Sequence, residues 1–268
     1  MDEELLTEKF LKEVRARVSD AIAAQGLLTS LVEEKGSERE QKYMADMTKS
    51  FYRLLRLIHH VEICKARTIS QKRTLDLAGL CRDVSRSCED MAKILGTEFD
   101  WKLSDSSVIS VGDDHMLELG ILNLLVNAFE AAGPTGKVIL KGTLEKGNWV
   151  IVVTDNGPGI RNLKPDDDPY LKVGNGAGLG LEAAWRAAEL HGGSLLLTDK
   201  GADVAPEGER GAKAILTLPV KKPEPCGADR KGLIKEPDKS VYRGGFSSVL
   251  VEFSPLLPAE SFSSEDTK

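Results

Sequence analysis

Three short segments, in order along the chain, carry residue types that can do chemistry. They are Asn123-Leu-Leu-Val-Asn127-Ala, Asp155-Asn156-Gly157-Pro158-Gly159-Ile160 and Gly174-Asn-Gly176-Ala-Gly178-Leu-Gly180-Leu181. Asn123 and Asn127 stand four apart, so on a helix both project from one face. Two carboxamides there can help complete an octahedral magnesium shell that also contains phosphate oxygens and waters. The alternative is a polar pair on an exposed face. Their neighbours Ile121, Leu122, Leu124, Leu125 and Val126 are apolar, which predicts a buried helix whose polar side chains need partners. Asp155 ends an apolar run at 150–153 and precedes two glycines. A carboxylate held there can accept a hydrogen bond from an exocyclic amine, while the glycines let a flat ring approach the backbone. An ordinary Asp-Asn-Gly-Pro turn is the competing reading. In the third segment, backbone amides and the following helix N-terminus can cradle phosphates. Its glycine spacing also admits a dinucleotide-binding loop, but it follows Lys164-Pro-Asp-Asp-Asp-Pro169 rather than a strand, and no βαβ unit surrounds it.

These segments need a scaffold, and residues 68–220 predict one of alternating helices and strands. Residues 74–77 read as a short strand. Residues 76–95 read as a helix with Leu80, Val84, Cys88, Met91 and Leu95 on its inner face. Strands are expected at 97–103 and 108–111, then a strongly apolar helix at 113–132 that breaks at Gly133-Pro134-Thr135-Gly136. Residues 137–144 and 149–154 form a hairpin through Lys146-Gly147-Asn148. A helix at 179–191 and strands at 194–198 and 212–220 complete the set. Helices alternating with mostly antiparallel strands point to an α+β fold, a two-layer sandwich.

Upstream, residues 1–67 read as two helices. In the second, Met44, Met47, Phe51, Leu54, Ile58 and Val61 recur at alternating steps of three and four, the stripe of a helix that packs along another. Phe10, Val14, Val18, Ala21, Gln25, Leu28 and Val32 follow a weaker version in the first. The turn falls near Gly36, which can end one helix, and Ser37, which can cap the next. One antiparallel hairpin buries one face of each helix. Two copies packed as a four-helix bundle would bury the seam, so a two-fold homodimer is expected.

Taken together and in this order, the three segments resemble the N box and the two glycine boxes of the histidine kinase ATPase superfamily, which also includes DNA gyrase, Hsp90 and MutL. Gly112-Asp113 before them and Glu189-Leu-His191-Gly192-Gly193 after them also resemble sensor kinases, as does Glu130-Ala131 the nitrogen-regulation type. Asn123 looks like the kinase branch, since hydrolytic members carry a glutamate general base there. The resemblance covers about residues 70–220, and the helical hairpin extends it to the kinase dimerisation domain. It implies a histidine kinase-type ATP-binding sandwich, with ATP and magnesium as ligands. Asp155 would read the adenine amine, and Gly157 and Gly159 would shape the pocket. Asn127, with Asn123 near it, would hold magnesium through ATP. Gly176, Gly178 and Gly180 would contact phosphates at a mobile lid over 161–177. Lys172 in that lid would pair with a phosphate or stay solvated. The lid's phenylalanine-rich box is reduced to Pro169-Tyr170.

The pattern breaks in the first helix. Sensor kinases place His-Glu-x-x-x-Pro there, the histidine accepting phosphate and the glutamate acting as its base. Aligning Phe10-Leu-Lys-Glu-Val14 with the usual run-up puts Ala16 and Arg17 at the His-Glu positions and Ala21 at the proline. Autophosphorylation at the usual position is excluded, because alanine offers no nucleophile. His59 and His60 on the second helix are the nearby substitutes, with solvated or dimer-facing residues as the plainer reading; His115 and His191 read as structural. Two function classes follow. One is an unorthodox ATP-dependent histidine kinase, a transferase in a phosphorelay, acting on His59, His60 or a histidine elsewhere by positioning and charge stabilisation. The other is a pseudokinase or docking module that binds a response regulator receiver domain or a partner kinase, with ATP as a conformational ligand. Slow ATP hydrolysis is a weaker third.

Composition sets the outer limits. Hydrophobic residues make up 41% and charged residues 29% of the 268, as in a soluble globular protein. A net charge of -6 supplies no basic excess for nucleic acid. Cys64, Cys81, Cys88 and Cys226 are too scattered for a zinc site and read as reduced, mostly buried thiols of a cytoplasmic protein. No apolar run approaches the roughly 20 residues that span a bilayer, and Met-Asp-Glu-Glu at the start is unlike a signal peptide. The expected division is a dimerisation hairpin at 1–67, an ATP-binding domain at 68–222, and a largely disordered tail at 223–268 containing one strand at 247–253.

Overall fold

A computed structural model describes residues 3–69, 71–160, 178–199, 210–222 and 247–262. The chain divides into two compact units, Met1–Glu62 with Val241–Lys268, and Ile63–Ser240. Each is described by itself.

The hairpin unit contains α1 (Glu3–Lys35) and, as far as Glu62, α2 (Glu38–Lys65). Ser37 starts α2 through a capping box: its backbone N–H donates to Glu40 Oε2 at 2.7 Å, and Glu40 N donates back to Ser37 Oγ at 3.4 Å. The helices run antiparallel, with Gln25 donating to the Met44 carbonyl at 2.9 Å and to Thr48 Oγ1, and Arg15 ion-paired to Glu62. Ile22 on α1 and Ala45, Tyr52, Leu55 and Ile58 on α2 are buried. The seam read from the sequence is therefore only partly used: Ile58 is inside, whereas Met47 and Leu54 are exposed. The buried Ala45, Tyr52, Leu55 and His59 lie on another side of the helix.

The C-terminal residues correct the sequence reading. Residues 247–253 were expected as a strand in a largely disordered tail. Instead α6 (Ser248–Phe253) is a helix, capped by Ser247 Oγ accepting from Leu250 N at 3.4 Å, and a 3-10 turn follows at Ala259–Phe262. A short run such as Ser-Val-Leu-Val-Glu-Phe, with β-branched residues, reads as strand by composition, but periodicity cannot decide over so few residues. Burial on almost every side of α6 overrides the propensity.

In the sheet unit, β1 (Arg73–Asp76) pairs antiparallel with β3 (Ile109–Gly112) as a small separate sheet. Among the described residues the main sheet has five strands in the order β2 (Glu98–Leu103), β4 (Lys137–Glu145), β5 (Asn148–Asp155), β7 (Ala212–Pro219), β6 (Ser194–Asp199). Among the described residues only the β2–β4 pairing is parallel. Lys146 and Gly147 both take positive φ, 47° and 81°, the twist a two-residue hairpin turn requires between β4 and β5. Helices α3 (Leu77–Leu95), α4 (Asp114–Ala132) and α5 (Leu179–Leu190) pack against this sheet. The α+β sandwich expected from sequence is the observed fold, with element ends displaced by one residue or so.

Burial shows why the elements sit as they do. Along β5, Trp149, Ile151, Val153 and Asp155 alternate inward. Asp155 thus occupies a position that the pleat reserves for a core residue. Helix α4 is apolar on most sides because α3, α5 and the sheet all lean on it. Gly120 brings its backbone close to α5, where an added Cβ would sit 3.4 Å from Ala187 Cβ. Cys81 and Cys88 are fully buried on α3; burial pushes the Cys81 thiol up to about 12, and that of Cys88 higher still. They are core residues, as the sequence implied, and Cys226 lies outside the described residues.

Candidate functional site

The site begins where β5 ends. Asp155 is buried, and its Oδ1 accepts from Gly157 N at 2.8 Å and Ala212 N at 3.2 Å. The first bond folds the chain after the strand; the second ties that fold to the start of β7. Two glycines make this approach feasible. A Cβ on Gly157 would lie 2.4 Å from the Ala131 carbonyl oxygen at the end of α4, and one on Gly211 would lie 2.0 Å from the Asp155 carbonyl oxygen. Gly159 follows with φ +76°, and Ile160 N donates to Asp199 Oδ1 at 2.7 Å. The end of β6 therefore braces the loop. Gly211 and Asp199 were missed in the sequence. Gly211 precedes a strand and Asp199 ends one, and neither position is distinctive without the pairing of β6 to β7.

Helix α4 presents the two asparagines differently. Asn123 is fully buried, its Nδ2 donating to the Leu119 carbonyl at 2.8 Å. Asn127, one turn later, is half-buried, and its Nδ2 is out of contact with water while making no hydrogen bond among the described residues. The helix thus holds one carboxamide against its own backbone and leaves an orphaned amide on the next turn. Because carboxamide N and O interchange by a flip of the terminal torsion, Asn127 can offer either a donor or a metal-seeking oxygen. This group and the glycine frame around Asp155 fit a polar ligand bearing an amine and a metal-bound phosphate.

The third segment is described only at its end. Gly178, with φ +73°, is the N-cap of α5, and Gly180 lies in the first turn. Gly176, Lys172, Pro169 and Tyr170, with the whole lid at 161–177, lie outside the described residues. Gly178 and Gly180 accordingly place backbone amides at a helix N-terminus, the arrangement that attracts anions.

A further tie fixes α4 to α5. His191 Nε2 accepts from Asp113 N at 2.9 Å while its Nδ1 donates to the Ala187 carbonyl at 2.6 Å. These bonds require the neutral ring with the proton on Nδ1. Burial lowers its pKa below the ordinary imidazole value, partly opposed by the Ala187 bond and by Asp113. Gly112 makes room, since a Cβ there would lie 2.7 Å from the ring. Asp113 then caps α4, its Oδ1 accepting from Met116 N at 3.1 Å.

The histidines proposed as acceptors lie in the hairpin unit. His59 is 1% exposed and His60 2%, so neither is the solvated residue of the plainer reading. His60 Nε2 contacts Glu252 Oε2 at 2.9 Å. Ala16 and Arg17 are on the exposed side of α1, with Arg17 paired to Glu13 and Asp20.

Residues 112–222 match the family described as histidine kinase-, DNA gyrase B-, and HSP90-like ATPase. The alginate biosynthesis sensor protein KinB of Pseudomonas aeruginosa is 27% identical over 217 residues, 78% of this chain and 35% of that protein. The adaptive-response sensory kinase SasA of Prochlorococcus marinus is 33% identical over 121 residues, 40% of this chain and 30% of that protein. The chain spans about a third or less of the length of these relatives. Full-length ShkA in complex with AMPPNP shares the fold at a TM-score of 0.61 and 22% identity, covering 81% of this chain and 46% of that one. The histidine kinase ThkA in complex with the response regulator protein TrrA gives 0.53 and 20%, covering 82% and 64%.

Proposed function

Residues 112–222 form a catalytic ATP-binding domain of the sensor histidine kinase type, and from that premise we propose that this chain is an ATP-binding, histidine kinase-like signalling protein of a two-component pathway. Bound magnesium ATP supplies an activated phosphoryl group. Asp155 receives the adenine amine, and Gly157 and Gly159 keep the pocket wall close and flat. Asn127 would hold magnesium through ATP, with Asn123 held against the α4 backbone one turn earlier. Gly176, Gly178 and Gly180 would offer backbone amides to the phosphates, and Lys172 would either add a point charge or stay solvated.

The observation that carries this reading is the buried carboxylate of Asp155 near a helix whose Asn127 amide is buried without a hydrogen bond among the described residues. A purely structural site would not retain that amide. The AMPPNP complex of ShkA supports the nucleotide. Calorimetric titration with magnesium ATP tests the reading: wild type binds, and Asp155→Asn loses most of the affinity. Absence of binding by the folded wild type would overturn it.

A second reading has its own support. Ala16 and Arg17 stand where a phosphate acceptor and its base belong, and both substitute histidines are buried. On this reading the protein docks a receiver domain or a kinase, and nucleotide sets its conformation. The ThkA complex with a response regulator supports a receiver partner. The exposed Leu27, Leu28 and Leu31 on α1 and Met47, Leu54 and Leu57 on α2 suit a two-fold homodimer built as a four-helix bundle. Among the described residues no helix is long and apolar enough to cross a membrane, and a cytoplasmic site is part of the proposal. Incubation with γ-labelled ATP separates the readings. Acid-labile, base-stable label that vanishes in His59→Ala/His60→Ala marks a kinase with a relocated acceptor. No label, with ATP binding intact, excludes autophosphorylation and favours the docking role.

A further inference from the structure

Within the hairpin unit, one face of α2 is devoted to the C-terminal segment. Lys49, Tyr52, Arg53, Arg56 and His60 follow the i, i+3, i+4, i+7, i+11 spacing of a single helical stripe. Lys49 Nζ donates to the Leu257 carbonyl, and Arg53 donates to the Pro255 carbonyl at 3.3 Å. The Tyr52 and Phe262 rings meet edge-on at 5.1 Å. At the centre, Glu252 Oε2 accepts from Arg56 Nε at 3.0 Å and from His60 Nε2 at 2.9 Å. Glu252 has no exposed surface, and its Oε1 makes no hydrogen bond among the described residues. Val249, Val251, Phe253, Leu257 and Phe262 of the same segment are buried as well.

A helix of six residues does not hold its shape alone. Its order comes from what it docks on. A buried carboxylate is tolerated only where cations and donors meet it, and here both come from α2, nearly two hundred residues earlier in the chain. The basic groups are also placed by polarity: two carbonyls that follow the short helix are met by Lys49 and Arg53, and the acidic side chain by Arg56 and His60.

We propose that this face of α2 is a docking groove for a short acidic amphipathic helix, filled in cis by residues 247–262, with Glu252 as the anchor read by Arg56 and His60. A partner helix with the same arrangement, one carboxylate set among buried apolar residues, would have to displace the resident segment. Tethering gives that segment a high effective concentration, so the groove is closed to weak competitors. The proposal is independent of the nucleotide reading.

Two measurements on the full chain test it. In hydrogen exchange of wild type, amides of 249–253 should be protected by about a hundredfold or more over an unstructured peptide, and Glu252→Gln should cut that protection at least about tenfold. A fluorescent peptide of residues 245–262 should bind the Glu252→Arg protein at least about tenfold more tightly than wild type, whose groove is occupied. Adding Arg56→Glu to Glu252→Arg should restore protection in cis and abolish peptide binding. Coil-like exchange in wild type, unchanged protection in Glu252→Gln, or equal peptide binding to wild type and Glu252→Arg would overturn the proposal. If Glu252→Arg does not fold, the exchange comparison with the near-isosteric Glu252→Gln decides alone.

Discussion

The two units organise buried polar groups in opposite ways. In the sheet unit, Asp155, Gly157, Gly159 and Gly211 build their site largely from backbone: a carboxylate takes two amides, and glycines let main chain approach main chain. In the hairpin unit, the central contact joins side chains from distant parts of the sequence, Arg56 and His60 with Glu252. Backbone-built sites leave a compact signature of glycine, aspartate and asparagine. Side-chain-built sites leave none, because any helix with a basic stripe looks solvated until its partner is known.

The largest expected difference lies in Glu252. Glu252→Ala removes the carboxylate that the half-buried Arg56 and the buried His60 both meet, and should cost the hairpin unit about 3 kcal/mol. Urea unfolding followed by hydrogen exchange would localise the loss; a uniform loss across both units would break the contrast. Next is Gly211→Ala, whose Cβ would press on the Asp155 carbonyl. It should destabilise the sheet unit by about 2 to 3 kcal/mol and weaken ATP binding with it, as read by thermal melts with and without nucleotide. Asn127→Ala should lower magnesium ATP affinity about tenfold, or about 1.4 kcal/mol, with little change in stability; an equal loss without magnesium would move Asn127 from metal to nucleotide. Smallest is Ser37→Ala, which removes the capping oxygen of α2 and should cost about 1 kcal/mol in the hairpin unit alone.

Acid should separate the units as well. His191 titrates lower in the folded protein than the roughly 6.5 of a free imidazole. Below that value the unfolded chain binds the extra proton, so the contribution of His191 is complete above it and declines as pH falls toward the folded pKa. For Glu252, burial raises the pKa, but His60 and Arg56 more than offset it and hold the carboxyl below its ordinary range. Its contribution is complete above the ordinary carboxylate value of roughly 4.3 and is lost as pH falls toward the lowered one. The α4–α5 tie should therefore loosen at mildly acidic pH and the Glu252 contact only in stronger acid, which proton NMR of His191 beside exchange at 249–253 would resolve. Replacing His191 with glutamine should remove the first window and leave the second.

The sequence reveals the sheet unit nearly to its element ends. Strand alternation, glycine punctuation and the apolar length of α4 are local properties, and they agree with the tertiary answer. The strand-end position of Asp155 and the close backbone approach at Gly157 follow from the same local pattern. Gly211 and Asp199 were not legible, since their importance arises from strands that meet only in the folded sheet. In the hairpin, helical periodicity identifies two helices, but a stripe at three-and-four steps does not say which face meets which neighbour. Met47 and Leu54 ended outside while Tyr52 and Leu55 ended inside. Residues 247–253 were misread because a six-residue helix has no measurable period, and what holds it lies on α2.

The inward phase of β5 carries one more consequence. Because Trp149, Ile151, Val153 and Asp155 share one face, deleting or inserting a single residue within the strand would expose the core side chains and turn the carboxylate toward solvent together. If Asp155 reads the nucleotide as proposed, loss of fold and loss of ligand recognition would be inherited as one defect. On that proposal, selection for a stable sheet is at the same position selection for recognition, so length variation should be excluded from this strand even in descendants that tolerate wide changes of side chain.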